Sequence, residues 1–331
     1  MPPTLFFAMM ALPKADRHVM ACPRMCKNED RAMRMMWLFG VAAALGAITP
    51  AAAKDPAIHP AVISDPAPDA AHPAGMSAFV LPSGDGAMNA VMYTAAGAGL
   101  HPTLLLLHGF PGNEQNLDLA QAARRAGWNV LTLHYRGSWG SPGNFSFGNA
   151  SDDAFAALQF LQQAATVAKY RIDTSAIVVA GHSMGGFMAA DIAAAEPRVA
   201  GLFLIDPWDP AQTVAALTSA QGEAAWKAEV ESDLPPLHGA TYDSLTAEIK
   251  GNGEKFDLGR RLAGYGRRPL TILGAEKGLG AEARAVAADA QGANPNARLM
   301  VWPTDHSFSD KRIALADALV RFLSGVAPTI R

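Results

Sequence analysis

The stretch Ala176-Ile177-Val178-Val179-Ala180-Gly181-His182-Ser183-Met184-Gly185-Gly186 joins an apolar run to an Ala-rich segment through Gly-His-Ser-Met-Gly. The run reads as a strand and the segment after it as a helix. A serine on a sharp strand-to-helix turn is held in a strained backbone conformation with its oxygen exposed, while the flanking glycines let neighbouring backbone pass close by. The start of a helix also favours a developing negative charge. A bare Gly-x-Ser-x-Gly says little. Between a strand and a helix it points to a nucleophile at Ser183.

Working outward, the same alternation repeats. Thr103–Leu107, Val130–Leu133, Gly201–Ile205, Leu270–Leu273 and Arg298–Trp302 are short apolar strand candidates beside Ala176–Ala180. Asn116–Ala126, Ala150–Ala165, Gly186–Ala195, Ala281–Ala290 and Ile313–Leu323 between them are helix-like. Continuous apolar strands with helical crossovers predict an α/β class chain: a mostly parallel twisted sheet with helices on both faces. Ahead of it, Ser77–Leu81 and Met88–Tyr93 flank Gly84-Asp85-Gly86 and predict an antiparallel hairpin. No internal repeat is found.

One interval interrupts the pattern. About sixty residues separate Ile205 from Leu270, too many for a bare loop in a compact domain. Ala211–Val230 and Thr241–Leu262 look helical, so a helical lid insertion over about 211–266 is expected, the alternative being helices that pad the sheet edge.

The N-terminus is of another kind. Residues 54–75, rich in Ala, Pro and Asp without periodicity, read as a linker. Before it, Arg34 opens an apolar run that ends near Ile48, and Ala51-Ala52-Ala53 offers an Ala-x-Ala cleavage site. Residues 1–53 are therefore expected to be a signal peptide with a misassigned upstream start, translation beginning at Met33 or Met35. The product would be exported, periplasmic or secreted, with no stable membrane span after cleavage; an uncleaved N-terminal anchor is the alternative. The two cysteines, Cys22 and Cys26, fall before the run and would be removed with it.

The 331 residues carry a formal net charge of −3 and are half hydrophobic, enough for a large core. No Lys/Arg cluster stands out, so a nucleic-acid partner is not expected. No His/Asp/Glu group has metal-ligand spacing and no Gly-rich phosphate loop occurs, so no cofactor or metal is expected.

Together, the Ser183 turn and Leu107-His108-Gly109-Phe110-Pro111-Gly112 after an earlier strand resemble the α/β-hydrolase family over roughly residues 76–325. The resemblance implies an α/β-hydrolase fold and an oxyanion hole built from the backbone N–H groups of Phe110 and Met184, each worth about 3–4 kcal/mol of barrier. Tyr135-Arg136-Gly137-Ser138-Trp139-Gly140-Ser141 is similar to a stretch in peptidase-like and esterase-like members. There Arg136 is expected to organise a loop, with substrate binding as the lesser reading.

Nine histidines compete for the base. His306, in Trp302-Pro303-Thr304-Asp305-His306-Ser307-Phe308-Ser309, follows the last strand and precedes the last helix, where the family places its catalytic histidine. The acid is less plain. The family's usual position, three residues past a glycine after the seventh strand, holds Lys277, which cannot orient an imidazolium. Glu276, one residue earlier, is the first choice. Asp206 and Asp209, after the preceding strand, are the alternatives, and a degraded triad is the remaining one.

The resemblance implies a serine hydrolase acting through an acyl-enzyme on a small-molecule ester or amide. Carboxylester cleavage leads. A peptidase or amidase is the runner-up, and a catalytically silent binding relative is the reading from a different class, prompted by Lys277.

Overall fold

The computed structural model describes residues 57–326, apart from residue 254. The expected signal peptide, both cysteines and the proposed start sites lie outside the described residues. In chain order the elements are α1 (Pro60–Ile63), β1 (Gly75–Ser83), β2 (Gly86–Thr94), β3 (His101–Leu107), α2 (Leu117–Arg125) and β4 (Asn129–His134). Then come α3 (Phe147–Gln162), α4 (Ala164–Tyr170), β5 (Ile172–His182), α5 (Met184–Ala195) and β6 (Val199–Ile205). The chain continues through α6 (Pro210–Ala216), α7 (Ala220–Asp233), α8 (Tyr242–Asn252), α9 (Leu258–Tyr265), β7 (Leu270–Lys277), α10 (Gly280–Ala293), β8 (Ala297–Asp305) and α11 (Arg312–Val326).

Among the described residues, all eight strands form one sheet in the order β1-β2-β4-β3-β5-β6-β7-β8. β1, β2 and β4 pair antiparallel, and every pair from β4 through β8 is parallel. The expected hairpin forms, with Gly84 supplying the positive φ that the first position of its two-residue turn takes.

The central strands are largely apolar because both faces are covered, whereas β1 and β8 at the sheet edges are partly exposed. Alternate side chains feed two cores. Leu105, Leu107, Val179, Leu202, Leu204 and Ile272 face the layer that contains α3, α5 and α10. Leu104, Leu106, Val178, Phe203, Ile205 and Leu273 face α2 and α11.

The expected lid insertion divides in two. α9 packs on α5 and α10 and buries Leu258, Leu262 and Tyr265 in the core, so it covers the sheet. α6 and α7 bring Thr213, Trp226, Glu229 and Asp233 to the cavity beside Ser183, and α8 packs on α6, α7 and α3. They are tied down: Glu248 of α8 accepts from the amides of Phe147 (2.8 Å) and Gly148 (2.7 Å), capping the positive start of α3. The segment after α7 pairs with the loop after β4 through Ser138 and Leu237.

The stretch read as a linker is mostly exposed but is anchored on the domain through α1. Ala61 is buried, and Arg125 Nε donates to the Ala61 carbonyl at 2.6 Å.

Candidate active site

The turn between β5 and α5 has the strained form the sequence calls for. Ser183 sits at φ 54°, ψ −121°, a region a non-glycine residue occupies only when its surroundings impose it. Those surroundings are the end of β6 and the loop after it. The Ser183 amide donates to the Ile205 carbonyl at 2.9 Å, and the Ser183 carbonyl accepts from the Trp208 amide at 3.0 Å. A Cβ on Gly181 would collide with the Gly185 carbonyl, so the turn closes only with glycine there.

His306 follows β8 on a turn pinned from below. The Asp305 carboxylate accepts from the Ser309 amide (2.9 Å), and Phe308 is fully buried. The imidazole is thereby presented toward β6, where His306 Nδ1 meets Asp206 Oδ2 at 2.6 Å. Asp206 is fully buried and adopts a positive φ of 41°, which aspartate tolerates better than most residues. Its carboxylate also accepts from the amides of Ala275 (2.8 Å) and Leu279 (2.8 Å). With the carboxylate as acceptor, the His306 proton lies on Nδ1 and the Nε2 lone pair is free to take a proton.

The β3–α2 loop closes against the serine. A Cβ on Gly109 would lie 2.8 Å from Ser183 Cβ, so bare backbone approaches Ser183 there. The Met184 amide is the first of α5, at an end where N–H groups have no intrahelical partner, and both Phe110 and Met184 line the same cavity as Ser183 and His306. The loop after β4 fixes this arrangement. Tyr135 Oη donates to the His108 carbonyl (3.2 Å), and Trp139 Nε1 (3.0 Å) and Ser138 Oγ (3.3 Å) both donate to the Pro111 carbonyl. Residues 104–326 match the alpha/beta hydrolase family.

The chain belongs to that family. Among curated relatives, this α/β-hydrolase is similar to the dihydrolipoyllysine-residue acetyltransferase component of the acetoin cleaving system of Cupriavidus necator. The two are 30% identical over 293 residues, 79% of this chain and 73% of the relative. It is also similar to an sn-1-specific diacylglycerol lipase of Xenopus tropicalis, 33% identical over 122 residues, 36% of this chain and 35% of that one. The chain thus matches only about a third of the lipase. Among solved structures, the carboxylesterase EstE1 from a metagenomic library superposes with a TM-score of 0.55 at 20% identity, covering 78% of this chain and 91% of its own. An esterase of Pyrobaculum calidifontis gives 0.57 at 20% identity, with 78% and 88% covered. At that identity the likeness is one of fold.

Within this α/β-hydrolase, Glu276 is not beside His306. β7 ends by turning Glu276 and Lys277 to solvent, and Glu276 faces Arg284 at 3.7 Å, both side chains half exposed. Asp209 is also elsewhere, capping α6 through the Ala211 amide (3.2 Å) and accepting from the Leu258 amide (3.2 Å). The partner of His306 is Asp206. The loop after β7 contributes amides to hold that carboxylate instead of contributing an acid. Arg136 is buried against Asp153 (Nε to Oδ1, 2.7 Å) and is not among the residues lining the cavity, which fits a loop-organising role.

The cavity of this hydrolase measures about 410 Å³ and opens under α7. Phe110, Phe147, Trp208 and Trp226 form an aromatic wall, in which Phe147 and Trp208 are 5.0 Å apart and the Trp208 and Trp226 rings are nearly parallel at 6.2 Å. Three carboxylates also line it: Glu229 and Asp233 from α7, and Glu282 from the first turn of α10. Partial burial, reinforced by the charges of Asp209, Asp206 and Glu229, pushes the Glu282 carboxyl up to about 7. Sequence reading missed these acids. Their only signal was the 3- and 4-residue spacing that puts Trp226, Glu229 and Asp233 on one helix face.

Proposed function

We propose that this α/β-hydrolase is a serine hydrolase that cleaves carboxylic esters through an acyl-enzyme. The observation that carries the reading is the meeting in one cavity of a strained elbow serine and a histidine whose Nδ1 is held by a buried carboxylate. Ser183 Oγ attacks the ester carbonyl carbon as its proton passes to His306 Nε2, and Asp206 stabilises the imidazolium. The amides of Phe110 and Met184 receive the negative oxygen. His306 returns the proton to the departing alkoxide, and the C–O bond breaks to leave an acyl-serine. Water then attacks, giving its proton to the same nitrogen; the acid leaves and Ser183 recovers its proton.

The names of the two curated relatives, an acetyltransferase component and a diacylglycerol lipase, support acyl chemistry on this scaffold. The Asp206–His306 pair supports the catalytic reading over that of a silent relative, since it supplies at 206 the acid that is missing at Lys277. Export by the signal within residues 1–53 is part of the same proposal.

The test is labelling by a fluorophosphonate together with hydrolysis of p-nitrophenyl esters of graded acyl length. Labelling and turnover that both vanish in Ser183→Ala are expected. An unlabelled wild-type serine with no ester turnover overturns the reading.

A further inference from the structure

Among the described residues, every ionisable side chain lining the cavity apart from His306 is acidic, and no Lys or Arg lines it. None of these carboxylates faces a Lys or Arg among the described residues, in contrast to three other acids of the domain. Asp153 has Arg136, Asp191 has Arg261 and Asp317 has Arg321. Among the described residues, Glu229 has no hydrogen bond or ion pair, Asp233 meets only Ser232 at 3.5 Å, and Glu282 accepts only the Asp209 amide at 3.3 Å.

The aromatic wall is a separate observation that points the same way. Both indole N–H groups are spent inside the protein, Trp208 on Thr213 (2.7 Å) and Trp226 on Thr246 (2.9 Å). The two rings therefore line the cavity as aromatic surface with no N–H left to bind an anion, and aromatic rings can hold a cation. Uncompensated carboxylates in a partly desolvated pocket add a negative potential that repels anionic ligands and concentrates cationic ones.

We propose that the cavity selects substrates bearing a positive charge, with an ammonium or alkylammonium group held by the Trp208 and Trp226 wall and the carboxylates of Glu229, Asp233 and Glu282 while the scissile carbonyl reaches Ser183. The proposal rests on the serine hydrolase reading and adds the substrate class. A cation there relieves the mutual repulsion that a neutral acyl chain leaves in place, so charge is recognised over mere size.

The probes are choline and 3,3-dimethylbutan-1-ol, isosteres that differ in one positive charge, together with their acetate esters. Binding of the two alcohols is read from tryptophan fluorescence, and kcat/KM is measured for the two esters. Choline is expected to bind at least tenfold more tightly, and its ester to be preferred by a similar factor. Both ratios are expected to fall at least threefold in Glu229→Gln/Glu282→Gln and in 0.5 M salt. Turnover of both esters at equal efficiency, or a preference that the double variant leaves unchanged, overturns the inference and leaves the hydrolase reading standing. No turnover with an inert Ser183 overturns the hydrolase reading instead, and the fluorescence ratio then still decides the charge preference of the cavity.

Discussion

His182 Nε2 donates a hydrogen bond of 2.9 Å to the backbone carbonyl of His306, and the two imidazole rings lie 4.6 Å apart. The residue before Ser183, the proposed nucleophile, thus holds the turn that presents His306, the proposed base. A carbonyl can only accept, so the His182 proton is on Nε2, leaving Nδ1 buried without a partner. His182→Leu is expected to lower kcat about tenfold with little change in KM, the signature of a displaced base. His182→Gln, whose amide can reach the same carbonyl, is expected to recover most of that loss. Equal losses in both variants would falsify a positioning role.

The acid assignment separates cleanly by mutation. Asp206→Asn is expected to reduce kcat by about 10³–10⁴-fold, because it removes the charge behind the imidazolium and disturbs its tautomer. Glu276→Gln, on the surface beside Arg284, is expected to stay within twofold. Ester hydrolysis at saturating substrate reads both, and the opposite ranking would return the acid to the loop after β7.

Gly278 is where that loop passes the pair. A Cβ there would fall on Asp206 Oδ2 and lie 3.0 Å from His306 Cα. Gly278→Ala is therefore expected to part the carboxylate from the imidazole, with kcat down about 10²-fold, as a displacement near 1 Å can cost. The melting temperature of the same sample is expected to shift by only a few degrees, and a wild-type kcat would show that the loop yields without moving either residue.

Acid stability follows from buried neutral histidines. Burial holds both His108 and His182 at about 3, against an ordinary value near 6.5. The unfolded chain therefore binds more protons between those values. Each group's contribution is complete above about pH 6.5 and falls by about 1.4 kcal/mol per pH unit as pH drops toward 3. Glu282, raised to about 7, acts in the opposite sense between its ordinary value and 7. Urea midpoints from pH 7 to 4 are expected to decline in wild type and to flatten by one group's slope in His182→Gln. Parallel profiles for the two proteins would contradict this.

Arg136 and Asp153 form a buried pair whose side chains are 5% and 0% exposed. Asp153→Ala strands the guanidinium and is expected to cost about 3–5 kcal/mol of unfolding free energy. Denaturant titration checks this, and a loss under 1 kcal/mol would mean that Asp85, 3.1 Å from the same guanidinium, compensates.

What could be read from sequence was what depends on local pattern. Period-2 burial on two faces makes continuous apolar strands, so β3 through β8 announced themselves, and Ser183 followed from the glycines around it. α9 was absorbed into the lid because helical periodicity does not say which surface a helix covers; Leu258, Leu262 and Tyr265 could have met either. The acid was hidden for a different reason. Position after a strand ranked Glu276 first, whereas the outcome turned on the positive φ of Asp206 and on two amides about seventy residues away. The cavity acids escaped for the same reason, since a carboxylate on an amphipathic helix looks solvated until another element is packed opposite it.

The carboxyl end of β6 holds the Ser183 backbone through Ile205 and the His306 side chain through Asp206. Two consecutive residues thus act as the common datum for Ser183 and His306, and a small slide of β6 against its neighbours carries both along without changing their spacing. Glu276 and Lys277 at the end of β7 are correspondingly relieved of chemistry, because Asp206 is held there through the main-chain amides of Ala275 and Leu279 and not through a side chain. Positions 276 and 277 are therefore open to drift, and they offer places to attach a label or invert a surface charge without touching the reaction.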